Sequence, residues 1–171
     1  MTNRPFPRLQ TPRCSLQPVA PADAEALHTL WTRPEVRRFL WDDELISFAQ
    51  TQDLIADSCA HLETGDYGLW LARLRDQSDV IGFTGYWPFH EPVRIELLFG
   101  LAGDYWGHGY ATEIATAMVT YGREHLAMET VLASTDEPNR ASIAVLDRLG
   151  FSQSHHDPET DTLFFEQRRS G

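Results

Sequence analysis

Residues Trp106-Gly107-His108-Gly109-Tyr110-Ala111 carry the first chemical signal in this chain. Two glycines bracket one residue, and an apolar pattern of helical spacing begins directly after them. A strand, a glycine turn and a helix in that order aim several backbone N–H groups into one concavity, at the positive end of a helix dipole. Such a concavity binds a pyrophosphate with main chain alone. A Gly-x-Gly also serves ordinary tight turns, so the motif by itself decides nothing. Glu96 is the second signal. It interrupts the apolar run 93–101, where a carboxylate is costly unless it is paired or functional. Two readings stay open for it: a base for proton transfer, or a glutamate satisfied at a cleft edge by a neighbour such as Arg94.

Two further clusters have suggestive residue types. His155-His156-Asp157 resembles a set of metal ligands, but adjacent side chains in a hairpin point apart and no further ligands stand nearby in sequence. No metal is therefore expected. Trp41-Asp42-Asp43-Glu44 is either a solvated loop or a seat for a cation, with Trp41 offering an aromatic face.

The net charge of -11 sorts the partners. It argues against nucleic acid and against an anionic membrane surface, and it favours a cationic substrate. An anion bound here must be held by local backbone dipoles, and the glycine turn supplies them. That turn lacks the Lys-Ser/Thr ending of a nucleotide phosphate loop. No stretch approaches the apolar run that spans a bilayer, and residues 1–12 lack the apolar core of a secretory signal. Cys14 and Cys59 form neither a disulfide framework nor a metal spacing, which fits a cytoplasmic location.

The elements that must position these groups follow from periodicity. Residues 1–12 are polar and proline-rich and are expected to be a disordered tail, with one domain over 13–168. Strands are expected at 14–19, 68–74, 80–86, 93–101, 130–134, 151–155 and 162–166. Helices are expected at 22–31, 48–62, 110–125 and 139–149, with Pro34 interrupting the first and Gly65 and Gly150 ending two others. Residues 87–92, with two prolines, read as a loop. The fold class is α/β, a mixed sheet of about seven strands with helices on both faces. The crossover through 110–125 makes strands 93–101 and 130–134 parallel neighbours, and ligands bind beyond the C-terminal ends of such strands. Gly100 suggests a bulge or a close backbone approach; a bulge would splay the two strands and open a slot.

Several motifs now combine. Tyr105-Trp106-Gly107-His108-Gly109-Tyr110-Ala111-Thr112-Glu113 is followed by Asn139, Ser142 and Leu149-Gly150-Phe151, and preceded by Thr11-Pro12-Arg13 and Pro34-Glu35-Val36. Over nearly its whole length the chain resembles the GNAT superfamily of acyl-CoA-dependent N-acyltransferases. It is most similar to the branch that includes the ribosomal-protein N-terminal acetyltransferases. The resemblance implies the GNAT fold, with central parallel strands splayed to admit pantetheine. It also implies transfer of acetyl from acetyl-CoA directly to a primary amine, either a protein N-terminus or a small molecule.

By the same resemblance, Gly107, His108, Gly109, Tyr110, Ala111 and Thr112, flanked by Trp106, cradle the pyrophosphate. Pantetheine runs beside Phe99, Gly100 and Leu101, and Asn139 contacts its arm; the other role open to Asn139 is a helix N-cap. Glu96 matches a glutamate that precedes the turn in this branch. Leu146 stands where many members carry a tyrosine acid. In this branch Ser142, one turn earlier, would take over, against its reading as an ordinary first-turn serine. Segment 41–44 and the last hairpin would wall the acceptor pocket, making Trp41, Asp42 and Asp43 acceptor-binding. The expected partners are acetyl-CoA and a cationic amine, with the protein a monomer or homodimer. The missing tyrosine keeps one rival open, a non-catalytic acyl-CoA-binding sensor.

Overall fold

Eight strands build a single mixed sheet that separates two apolar cores. The computed structural model describes residues 7–65 and 67–171. In chain order the elements are β1 (Leu9–Gln10), β2 (Cys14–Pro18), α1 (Ala24–Trp31), α2 (Pro34–Leu40), α3 (Phe48–Thr64), β3 (Leu69–Leu74), β4 (Val80–Phe89) and β5 (Arg94–Leu101). Then come α4 (Tyr110–His125), β6 (Thr130–Asp136), α5 (Arg140–Arg148), β7 (Ser152–Asp157) and β8 (Thr162–Arg168). The strand order is β1-β2-β3-β4-β5-β6-β8-β7. Every neighbouring pair is antiparallel except β5 and β6. One core, with Ile114, Met118 and Leu146, joins the sheet to α4 and α5; the other, with Leu27, Trp31 and Ile55, joins it to α1, α2 and α3.

Local chemistry explains most boundaries. Ser47 and Gln50 form a reciprocal capping box at the start of α3, and Gly65, at φ 81, ends it in the left-handed conformation. Pro34 does more than interrupt a helix. It opens a new one, α2, because the first helical position needs no N–H and fits the fixed φ of proline. Residues 87–92 are not all loop, since β4 runs to Phe89 and Pro88 pairs with Ile95. The β3 ladder ends at Gly85, so Pro88 lies where its missing N–H costs no bond on that side.

Leu9–Gln10 pair with Leu16 and Ser15, and Thr11 is buried, so residues 7–12 belong to the domain, while 1–6 lie outside the described residues. This short strand also makes the sheet one strand wider than expected.

The central parting of the sheet matters most for function. β5 stays on β4 in unbroken register from Arg94 to Leu101, and β6 stays on β8 from Thr130 to Asp136. Between them the parallel register holds at Glu96 opposite Leu132. Beyond Glu96 the two strands part. The bulge suggested at Gly100 is not there. Gly100 is instead a close approach, because an added Cβ would lie 2.5 Å from the ring of Phe83.

Candidate active site

The turn after β5 is built to present N–H groups. Gly107 and Gly109 have φ of 78 and 81, values that an L side chain rarely adopts. The indole N–H of Trp106 donates to the Leu101 carbonyl at 3.0 Å, tying the turn to the end of the strand. Arg13 holds the other side, donating to the His108 carbonyl at 2.9 Å and lying 4.3 Å over the Tyr110 ring. In a trans peptide C=O and N–H oppose each other, so the Gly109 N–H points away from Arg13. The first intrahelical bond of α4 runs from Glu113 N–H to the Gly109 carbonyl, which leaves the N–H groups of Tyr110, Ala111 and Thr112 unspent by the helix. The Thr112 hydroxyl beside them is buried with no hydrogen-bond partner among the described residues. A strand end, unspent donors and an orphaned hydroxyl suit an anion with further polar groups along its length, as a pyrophosphate joined to pantetheine has.

Two acids fix this turn. Glu113 accepts from the Thr11 hydroxyl at 2.7 Å, the Arg13 N–H at 2.6 Å and the Arg13 guanidinium at 2.7 Å. Burial pushes its carboxyl up, but those donors and the charge of Arg13 outweigh burial and hold it below its ordinary value. At the entry to the turn, Glu35 accepts from the Gly103 N–H at 3.1 Å and from Arg33 at 2.8 Å. The residues quoted as Thr11-Pro12-Arg13 and Pro34-Glu35-Val36 thus serve the turn from the far side of the sequence.

Where β5 and β6 part, Glu96 is buried, with 1% of its surface exposed. Its Oε1 accepts from the Ser134 hydroxyl at 2.7 Å and lies 2.9 Å from His90 Nε2. His90 Nε2 and Ser134 Oγ are 3.0 Å apart, so the three groups form a closed triangle. Arg94 brings its guanidinium within 3.4 Å of Oε2, without the geometry of a hydrogen bond, and spreads over the Phe164 ring at 4.9 Å. The buried carboxylate is therefore paired, as its cost in an apolar strand requires. Arg94 was the neighbour legible in sequence. His90 and Ser134 were not. His90 reaches Glu96 because Phe89 and Arg94 pair in a tight hairpin whose turn begins at His90; Ser134 does so through a parallel register that no local pattern encodes.

Asn139 N-caps α5, its Oδ1 accepting from the Ser142 N–H at 3.3 Å. Ser142 lies half-buried in the first turn, and Leu146 is packed in the core at 1% exposure. Phe99 and Gly100 line β5 past the parting and are partly exposed, and Leu101 is buried.

The chain matches the family model for the acetyltransferase (GNAT) domain over residues 13–152. This protein belongs to the GNAT acetyltransferase family. It is an acyltransferase. It is 27% identical over 149 residues to the uncharacterized N-acetyltransferase YoaA of Bacillus subtilis (strain 168), covering 86% of this chain and 84% of that one. Among solved structures, an acetyltransferase from Agrobacterium tumefaciens str. C58 superposes with a TM-score of 0.80 at 24% identity, covering 95% of each chain. RimL, a ribosomal L7/L12 alpha-N-protein acetyltransferase solved in complex with coenzyme A, shares the fold at a TM-score of 0.78 and 15% identity, over 95% of this chain and 97% of that one.

The acids of segment 41–44 divide into two kinds. Asp43 is paired with Arg37 at 2.9 Å. Asp42 is exposed and acts with Asp161 on Asp136, whose carboxyl is pushed up by burial and then by those two negative charges. Trp41 sets its edge against Trp31, ring centres 5.6 Å apart, within the core of α1, α2 and α3. His155 and His156 face Phe164 and Leu163 in successive register, on opposite faces of the hairpin, so the three residues 155–157 do not converge. Glu137, His156 and Asp161 do bring ligand atoms within 4.8 Å of one another, at a largely exposed site. Among the described residues, no helix is long and apolar enough to cross a membrane.

Proposed function

We propose that this protein transfers the acetyl group of acetyl-CoA directly to the primary amine of a cationic acceptor, a protein N-terminus or a small molecule. The observation that carries the reading is the parting of β5 and β6 just beyond a buried, hydrogen-bonded carboxylate, with the N–H-rich turn at the end of the same strand. Acetyl-CoA supplies a thioester carbonyl. The turn 107–112 holds its pyrophosphate, assisted by the Thr112 hydroxyl, and the free edge of β5 beyond Glu96 pairs with pantetheine beside Phe99, Gly100 and Leu101. The ammonium proton of the acceptor leaves to Glu96, directly or through a group hydrogen-bonded to it, because only a neutral amine attacks a carbonyl carbon. The Ser142 hydroxyl stabilises the departing thiolate, in place of a tyrosine at Leu146. Asp42, Asp136 and Asp161 attract the ammonium group. The two unpaired thiols suit the cytoplasm.

Thiol release from acetyl-CoA against a panel of polyamines, amino acids, aminoglycosides and short N-terminal peptides tests the reading. The expected result is amine-dependent release with an N-acetyl product detected by mass spectrometry. Tight acetyl-CoA binding without release for any amine would favour the sensor instead.

A further inference from the structure

The triangle of Glu96, His90 and Ser134 has a feature that the carboxylate alone does not explain. Glu96 is 1% exposed, whereas the side chain of His90 is 30% exposed. A charged carboxylate enclosed to that degree makes poor contact with an incoming amine, whereas the imidazole bonded to it reaches solvent and has a nitrogen that can take a proton. We propose that His90 is the residue that takes the proton from the acceptor amine, with Glu96 as the carboxylate that orients it. This rests on the acetyl-transfer reading above and deepens it.

The tautomer follows from the partners. A carboxylate only accepts hydrogen bonds, so His90 Nε2, 2.9 Å from Oε1, carries the hydrogen. Nδ1 then holds the lone pair, and no protein group among the described residues bonds to it. Ser134 donates to the same Oε1, which fixes the carboxylate while it accepts from the imidazole. The ring is also braced by Phe164, whose centre lies 4.9 Å away. The backbone at His90 has φ 69, the left-handed conformation with which the hairpin turn after Phe89 begins.

The charged groups facing His90 are Glu96 and Arg94 from β5, with His155 of β7 on the same Phe164 ring. Asp136 of β6 stands two residues beyond Ser134. The imidazole keeps its hydrogen bond to Glu96 Oε1, and Arg94 stands at the other carboxylate oxygen. The ammonium gives one proton to Nδ1. The neutral nitrogen forms a bond to the thioester carbonyl carbon, and the carbon–sulfur bond breaks to release the thiolate. The new amide nitrogen loses its second proton to that sulfur, giving the free thiol, and His90 returns its own proton to water.

Two variants test this, measured as full pH–rate profiles with the best acceptor of the wild type. His90→Gln keeps an N–H near Glu96 but cannot take a proton, and should lower kcat/KM by about 10²-fold or more and abolish the acid limb. His90→Ala should regain activity with added imidazole, which a merely structural role would not allow. Glu96→Gln should slow the reaction and leave an acid limb in place. Acetyl-CoA affinity by calorimetry should stay unchanged in both His90 variants. A His90→Gln enzyme with the wild-type profile, or a His90→Ala enzyme indifferent to imidazole, would overturn the role of His90 while leaving acetyl transfer intact. A wild type that transfers acetyl to no amine overturns both readings.

Discussion

Ser142 shows how far a single residue can be read. Its N–H is spent on the cap from Asn139, so its place in the first turn of α5 is fixed by the backbone. The hydroxyl is not needed for that cap. Ser142→Ala should therefore slow acetyl transfer on the order of tenfold, the scale of one hydrogen bond to a developing charge. Acetyl-CoA affinity should not change. Single-turnover kinetics isolates the step, and an unaltered rate would return Ser142 to ordinary helix duty. Asn139→Ala is the less clean probe, since losing a cap costs about 1 kcal/mol of stability whatever the cofactor contact is worth.

At the scale of elements, Glu113 locks α4 to the turn between β1 and β2. Its carboxyl takes three donors from Thr11 and Arg13, across the start of the helix that carries the pyrophosphate turn. Its side chain is 12% exposed, and that of Arg13 is 46% exposed, so solvent weakens the ionic part of the lock. Glu113→Gln should cost about 1 kcal/mol. The sign of its pH dependence follows from the depressed carboxyl. A carboxyl lower in the folded chain than in the unfolded one contributes stability above the unfolded value, and loses it as pH falls through the folded value. The gap between wild type and Glu113→Gln should be full at pH 7 and should close below about pH 4. Urea denaturation at both ends of that range measures it; a gap that persists at the acid end would show that shape, not charge, holds the lock.

For the whole molecule, a charge of -11 raises the local concentration of any ammonium-bearing acceptor. The fold then decides which acids matter. Asp43 is neutralised by Arg37, whereas Asp42 adds to the field at Asp136 together with Asp161. Asp42→Asn should raise the KM of a cationic acceptor severalfold and flatten its dependence on salt, because exposed charges are screened over about 8 Å at physiological ionic strength. Asp43→Asn should do less. A salt series on the two single variants distinguishes them, and equal effects would mean that only the total charge is felt. Neither variant should weaken acetyl-CoA binding, since the turn 107–112 is held by Glu113 and Arg13 and not by these acids.

The sequence by itself determined whatever depends on near neighbours. Apolar periods marked the helices that became α3, α4 and α5, glycines marked the turns that need positive φ, and residues 105–113 together with Asn139, Ser142 and 149–151 carried the resemblance to the family. A polar residue in an apolar strand marked Glu96 as a group that must have partners. Tertiary structure alone decided which partners those are. His90 meets Glu96 through a hairpin turn, Ser134 meets it across a parallel register, and Arg13 reaches the turn from 95 residues away. It also decided that β1 is a strand, that Gly100 yields to the Phe83 ring without a bulge, and that Asp42 and Asp43 differ. The physical reason is common to all of these. Local spacing fixes the direction of a side chain along its own element, but burial, pairing and charge compensation are set by elements that only the folded chain brings together.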